Sequence, residues 1–414
     1  GEPPVVVDED FVRSALEASP AAAVFPLSQQ HGGWPLRLSD GRFFFLSLRG
    51  DRTFLAGDFN AFVPVPMNIE RDTQGGFRYA WLVVAGGDGQ GYKFVSSSSN
   101  GVFEPDPNAR CYGFDGFGEL SFTNRIGVSR TSYPQLYERH LGLRHDGLLP
   151  RSLRVLLPAT TPTHVLYVHD GQNVLRRDSA MPADFVVPFG GWNLDVNPPA
   201  GLMIVAIDNT SERFFDYTPV VEPRSTFGGF FTEPTGGGGE LYADFVVNVV
   251  GRLVDDTYGE PPVRGVMGSS LGGLVSLAIA DRFPGAFHFA AGLSSSFGWG
   301  SFENETANDG DDTLIDDYRG KGVRNTVLYI DSGGNPRTQC SDTDGDGIED
   351  DVDGGDNFCE TQQMRDVLLD EGYVLDDTLV YRHDGGLDGS GAGHREDAWA
   401  FRAATIVMPL FMQQ

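Results

Sequence analysis

Val263-Arg264-Gly265-Val266-Met267-Gly268-Ser269-Ser270-Leu271-Gly272-Gly273 is the stretch on which the reading of this chain turns. A short apolar run leads into Gly-x-Ser-x-Gly, and an amphipathic segment follows from Leu274 to Pro284. The order is strand, sharp turn, helix, with Ser270 at the centre. Such a turn pushes the hydroxyl clear of the backbone, and glycines two residues to either side let strand and helix approach closely. The N–H of Leu271 then lies at a helix N-terminus, where developing negative charge is stabilised. Ser270 reads as a nucleophile. The motif alone carries little weight in a chain with 54 glycines among 414 residues, about double the usual ~7 %. The strand before it and the helix after it give it meaning.

A serine nucleophile on a doubly wound sheet needs an acid and then a histidine, each at the end of a later strand. Phe287–Leu293 predicts the next strand, and Thr326–Ile330 a buried strand running into Asp331-Ser332-Gly333-Gly334. Thr378–Arg382 predicts the last strand, and the loop after it ends Gly391-Ala392-Gly393-His394 ahead of a helix from Glu396 to Thr405. His394 is the expected general base, taking the serine proton and returning it to the leaving alkoxide. His31, His140, His145, His164, His169 and His288 read as surface or strand residues, and His383, at the end of the same strand, is the rival. For the acid, Asp356 lies in the loop ahead of the helix Thr361–Glu371 and is preferred. Asp331 remains the alternative, because a side chain ending a strand can point into the sheet.

Further stretches carry a family resemblance. Val165-Leu166-Tyr167-Val168-His169-Asp170-Gly171-Gln172-Asn173 is similar to the strand and Asp-Gly-Gln signature of the putative-esterase family, which includes enterochelin, feruloyl and D-type esterases. Ile204–Asn209 with Arg213 and Tyr217, the Gly-Ser-Ser-Leu-Gly-Gly turn, Leu293–Phe297 and Gly393–Trp399 resemble it too. The likeness covers about 135–414. It implies an α/β-hydrolase fold and a serine esterase. Its second oxyanion donor would be a backbone N–H of the Gly171-Gln172 turn, and Trp399 would pack behind His394. Arg213, Tyr217 and Gly171 become the expected substrate-binding residues, since loops above strand ends set specificity in such sheets.

One segment departs from that family. Between Asp342 and Asp353, carboxylates fall at loop positions 1, 3, 5, 9 and 12, with glycine at 6 and Ile348 at 7. This is calcium-loop spacing: hard oxygen ligands wrap one cation and the glycine permits the tight turn. The expected ligands are Asp342, Asp344, Asp346, Ile348 through its carbonyl, Asp350 and Asp353, holding a structural Ca2+. Aspartate at the last position resembles thrombospondin type 3 and dockerin-like repeats more than helix-flanked hands. Cys340 and Cys359 bracket the insert, and a disulfide there would persist in an oxidising compartment. The third cysteine, Cys111, reads as a buried thiol.

The formal charge of −28 opposes binding to nucleic acid or anionic membrane, and no apolar stretch approaches the ~20 residues of a membrane span. Cysteine usage and the calcium loop predict a secreted or periplasmic protein. The opening Gly1-Glu2-Pro3-Pro4 fits removal of a signal peptide or trimming.

The expected architecture is an α/β-hydrolase catalytic domain over 129–414, with the calcium-loop insert at 340–359. It follows an N-terminal helix and small all-β sandwich over 1–128. There Asp10–Glu17 reads as helix, and short alternating runs are punctuated by turn residues. Phe54–Asn60, Gly75-Gly76-Phe77, Gly91–Val95 and Asp106-Pro107 resemble the early-set, family-48 carbohydrate-binding sandwich, with Phe62 where tryptophan is common. The implied function is a secreted serine esterase working through a Ser-His-Asp triad, with feruloyl or acetyl esters of polysaccharides as substrates. The alternatives are a siderophore trilactone esterase and, from a different class, a non-catalytic calcium-dependent binding protein.

Overall fold

The computed structural model describes residues 6–175, 191–222, 234–301, 313–334, 339–343, 345, 347–351 (backbone alone at 350 and 351), 356–385 and 393–414. They fall into two compact units. The first runs to Leu143 and takes in Arg151–Ala159; the second comprises Arg144–Pro150 and the described residues from Thr160 onward.

The first unit begins with two helices. Glu9–Leu16, one residue offset from the expected Asp10–Glu17, is capped by Asp8, whose carboxylate accepts the N–H of Phe11. Pro20–Gln30 follows, with Ser19 as cap and proline at its first position, where no donor is lost. Its run of alanines hides it from a periodicity argument. Two antiparallel sheets make up the rest. One orders Leu36–Arg37, Phe43–Ser47, Phe77–Val84 and Asn68–Arg71. The other includes Arg151–Leu156, Tyr137–Leu143, Cys111–Asp115, Gly118–Phe122, Gly91–Val95 and Phe54–Gly57 in that order. Val12, Leu16, Val24, Leu27, Trp34, Phe44 and Trp81 share one buried cluster. Cys111 is buried, as expected, and burial pushes its thiol well up, which favours the neutral form.

The second unit carries six parallel strands: β1 (His164–His169), β2 (Leu202–Ile207), β3 (Val263–Ser269), β4 (Phe289–Leu293), β5 (Val327–Ser332) and β6 (Leu379–His383). Their spatial order is β2-β1-β3-β4-β5-β6. β2, β3 and β4 are buried over most or all of their lengths, which is why they read as apolar runs rather than alternating ones. Strand order reverses beside β1 and β3, and ligands of open α/β sheets bind where that happens, at the carboxyl ends. Pairing of Ser269 with Leu293, Leu293 with Asp331, and Ser332 with His383 brings those ends level. Three helices matter to the site: α1 (Leu271–Arg282), α2 (Phe358–Asp370) and α3 (Glu396–Arg402). This is the expected mixed α/β architecture. Among the described residues, no helix is long and apolar enough to cross a membrane.

Candidate active site

β3 hands over to α1 through one residue. Ser270 has φ 56° and ψ −124°, a left-handed region that a non-glycine residue enters only under constraint. The constraint is the packing of turn on helix. A Cβ on Gly268 would lie 2.5 Å from the backbone of Gly272, so strand and helix meet this closely only because Gly268 lacks one. Gly273 and Gly292 make room for the hydroxyl of Ser295, which a Cβ on either would strike at 2.3 and 2.2 Å.

The Ser270 side chain meets the histidine from the far end of the chain. His394 Nδ1 donates to Asp356 Oδ1 at 2.7 Å, leaving Nε2 to accept from Ser270 Oγ at 2.9 Å. A neutral imidazole has one donor and one acceptor nitrogen, and a carboxylate can only accept, so the contact with Asp356 sets the tautomer. Trp399 stands edge-on to the imidazole with ring centroids 4.7 Å apart. Asp356 is 1 % exposed; its Oδ2 also accepts from Gly333 N at 2.7 Å and Ser294 Oγ at 2.5 Å. His394 therefore contacts Asp356 and not Asp331. Asp331 accepts instead from Tyr329 Oη and Ser294 N, and burial pushes its carboxyl up to about 6 against the pull of Arg402. His383 turns its ring against Phe358, 4.9 Å away, and burial lowers its basicity.

Gly171 and Gln172 lie in a short 3-10 turn after β1, with Asp170 in left-handed conformation before it. A Cβ on Gly171 would fall 2.6 Å from the backbone of Ala206 and Ile207, so glycine is required. Arg213 clamps Asp170 with Nε and Nη2 at 2.8 and 2.9 Å, and Tyr217 Oη accepts the Asp170 N–H. Burial alone would raise the Asp170 carboxyl, but the charge and hydrogen bonds of Arg213 hold it below the ordinary range. Arg213 and Tyr217, expected as substrate ligands, thus brace the Asp170-Gly171-Gln172 turn. The Leu271 N–H is among the four donors that an α-helix leaves without an intrahelical partner at its N-terminus.

In the acidic insert, Cys340 and Cys359 are disulfide-bonded. Asp342 accepts from the N–H groups of Gly345 and Gly347 at 2.6 and 3.1 Å, both glycines are left-handed, and Ile348 is buried. That turn suits the first half of a calcium loop. Asp344, Asp346, Asp353 and the side chain of Asp350 lie outside the described residues. Among the described residues no three metal-ligating side chains gather. In the first unit, Phe62 lines a cavity of about 530 Å³ with Lys93, Phe103, Asp115 and Phe117.

Sequence reasoning missed three groups here. Arg402 and Glu396 are buried on the same face of α3 as Trp399, at spacings of three, and charged residues on an apolar helical stripe were the available signal. Ser294, inside a quoted motif but given no role, has φ 45°. Glu396 accepts from Trp192 Nε1, and burial raises its carboxyl.

A family model described as Putative esterase matches residues 148–402. Similar solved structures include the enterobactin esterase FES from Shigella flexneri with enterobactin (14 % identity, 93 % of this chain and 96 % of that one, TM-score 0.43). The siderophore hydrolase EstA from Aspergillus nidulans is 16 % identical over 66 % of this chain and 94 % of its own, with TM-score 0.42. MPT51 (FbpC1) of Mycobacterium tuberculosis is 11 % identical over 67 % and 98 %, with TM-score 0.40. None of the curated protein sequences matches this chain.

Proposed function

This chain belongs to the putative esterase family and is a carboxylic-ester hydrolase, and from that premise we propose that it works through Ser270, His394 and Asp356. The carrying observation is the hydrogen-bonded chain from Ser270 Oγ through His394 to buried Asp356, at level strand ends. Ser270 Oγ attacks the ester carbonyl while His394 Nε2 takes its proton. The N–H groups of Leu271 and Gln172 receive the oxyanion. Collapse breaks the C–O bond, and His394 protonates the departing alkoxide. Water, deprotonated by the same imidazole, then releases the acid and restores the serine. Asp356 holds the tautomer and stabilises the imidazolium.

The substrates are esters with uncharged acyl groups, feruloyl or acetyl esters of polysaccharides being the class to test first. Commitment of Arg213 to Asp170 supports this choice, since that cation is not left to meet an anionic substrate. The strong negative charge of the chain disfavours anionic siderophores in the same way. The disulfide supports an oxidising, extracellular or periplasmic setting. Asp342, Asp344, Asp346, Asp350, Asp353 and the Ile348 carbonyl would hold Ca2+, which would offset the crowded carboxylates and pin the segment leading to Asp356.

Hydrolysis of p-nitrophenyl acetate and butyrate by wild type and Ser270→Ala tests the mechanism. The variant is expected to lose roughly 10⁴-fold or more in kcat; an active variant would reject it. Parallel assays on methyl ferulate and a catecholate trilactone decide the substrate. EDTA is expected to lower the melting temperature, and an unchanged value would reject the calcium assignment.

A further inference from the structure

Behind Asp356 lie a second carboxylate and a cation. Asp331 is 0 % exposed and Arg402 1 %, and they come from β5 and α3. Arg402 Nε lies 3.4 Å from Asp331 Oδ2, and its Nη2 3.6 Å from Asp356 Oδ2. One guanidinium thus faces two buried carboxylates. Among the described residues its Nε and Nη1 make no hydrogen bond, so its direct action on the two carboxylates is through charge.

Ser294 joins the three groups. Its Oγ accepts from Arg402 Nη2 at 2.7 Å and from Trp399 Nε1 at 3.0 Å. Guanidinium and indole N–H groups only donate, so the single Ser294 proton has one acceptor to go to, Asp356 Oδ2 at 2.5 Å. The hydroxyl cannot reverse. It ties the position of the cation to the orientation of Asp356, whose other oxygen accepts from His394.

Resting on the reading of Ser270, His394 and Asp356 as a catalytic chain, we propose that Asp331 and Arg402 are positioning residues that oppose each other in setting the basicity of His394 through Asp356, with Ser294 fixing the geometry of that link. With both carboxylates ionised and the imidazole neutral, the cluster carries one net negative charge, and proton uptake by His394 cancels it. Removing Asp331 makes that uptake create a net positive charge in a buried site. Removing Arg402 leaves two uncompensated carboxylates that draw the proton in. Opposite charges favour the charged form of a titrating group and like charges disfavour it.

Other ionisable groups also bear on the imidazole and its carboxylate. Glu396 lies on the same helix, with Asp170 and Arg213 beyond it. Tyr329 bonds Asp331, His383 faces Asp356 and Arg402 from β6, and Arg395 pairs with Asp397 in the open. All of these stay in place across the variants below.

The test is the titration midpoint of His394, followed by NMR with ¹³C-labelled histidine and assigned through His394→Gln, together with kcat/KM against pH on p-nitrophenyl acetate. Asp331→Asn is expected to move both midpoint and acid limb down by about half to one pH unit, and Arg402→Gln to move them up by a similar amount. Arg402→Lys, which keeps the charge, stays close to wild type. The double variant Asp331→Asn/Arg402→Gln returns toward wild type, and its paired loss of charge guards against misfolding of the single variants. Ser294→Ala lowers kcat about tenfold with KM unchanged. Midpoints that do not move, or that move the same way in both single variants, overturn the proposal. Opposite shifts in the NMR midpoint with no matching shift of the acid limb would leave the charge device standing and overturn the catalytic reading instead.

Discussion

Ser270 and Asp356 reach the same imidazole by different structural means. The turn at Ser270 is held by backbone packing: Gly268 against Gly272, and a left-handed φ fixed between strand and helix. Asp356 is held by groups drawn from across the second unit. Ser294 and the Gly333 N–H bond its carboxylate, and the Cys340–Cys359 bridge ties the insert to α2. A steric constraint among adjacent residues is written in a few letters of sequence. A constraint assembled from distant partners is not, because no single stretch contains it.

The largest effect that could break the comparison is at Asp356. If its bonds to Ser294 and Gly333 exist to align the imidazole, Asp356→Asn should lose about 10⁴-fold in kcat with little change in melting temperature. Asp331→Asn, by contrast, should keep most activity at its own pH optimum. Equal losses in the two variants would mean that the carboxylates share the acid's role.

The disulfide comes next. A loop of about 20 residues closed by a bond stabilises the fold by about 3 kcal/mol in the chain-entropy account. Cys340→Ser/Cys359→Ser should lower stability by that order in a denaturant titration, and activity should fall with it if the bridge helps hold Asp356. Stability loss with unchanged kcat would free the acid loop from any dependence on the insert.

The next effect tests the electrostatics of the second carboxylate. Asp331 releases its proton near 3.8 when unperturbed and at about 6 in the fold, because burial outweighs Arg402. Between those values the native state holds a proton that the unfolded chain has given up. Its contribution to stability is full below the lower value and is lost as pH rises through the upper one, by up to about 3 kcal/mol. Asp331→Asn should flatten the melting temperature between pH 4 and 6, and an unchanged slope would remove Asp331 as its source.

How much could be read from sequence follows the same division. The six parallel strands, α1 and the helices after Asp356 and after His394 were legible as apolar runs ended by glycine and turn residues. The positions of Ser270 and His394 followed from motif and order. The choice between Asp356 and Asp331 stayed open, since it depends on which carboxylate turns toward the imidazole, and neighbours from β4 and α3 decide that. Arg213 was legible as a cation near the site. That it braces Asp170 is a matter of three-dimensional distance. Pro20–Gln30 was lost for another reason: three alanines in its first turn carry no period.

The smallest expected effect probes the backbone side of the comparison. Gly268 has no left-handed φ to protect, so the case for glycine there is contact alone, with a Cβ at 2.5 Å from the Gly272 backbone. Backbone atoms cannot swing aside as a flexible side chain can, so Gly268→Ala must push α1 away from β3. Overpacking of this kind costs about 1–3 kcal/mol. Gly116→Ala, where a Cβ meets nothing within 4 Å, supplies the control and should be neutral or slightly stabilising. The informative quantity is the ratio of lost activity to lost stability. A shift of a few tenths of an ångström in α1 moves Ser270 Oγ and the Leu271 N–H together. Gly268→Ala should therefore lower kcat by much more than the disulfide variant does at equal loss of stability. If the two variants fall on one line of activity against stability, the turn is no more specialised for holding its residue than the loop.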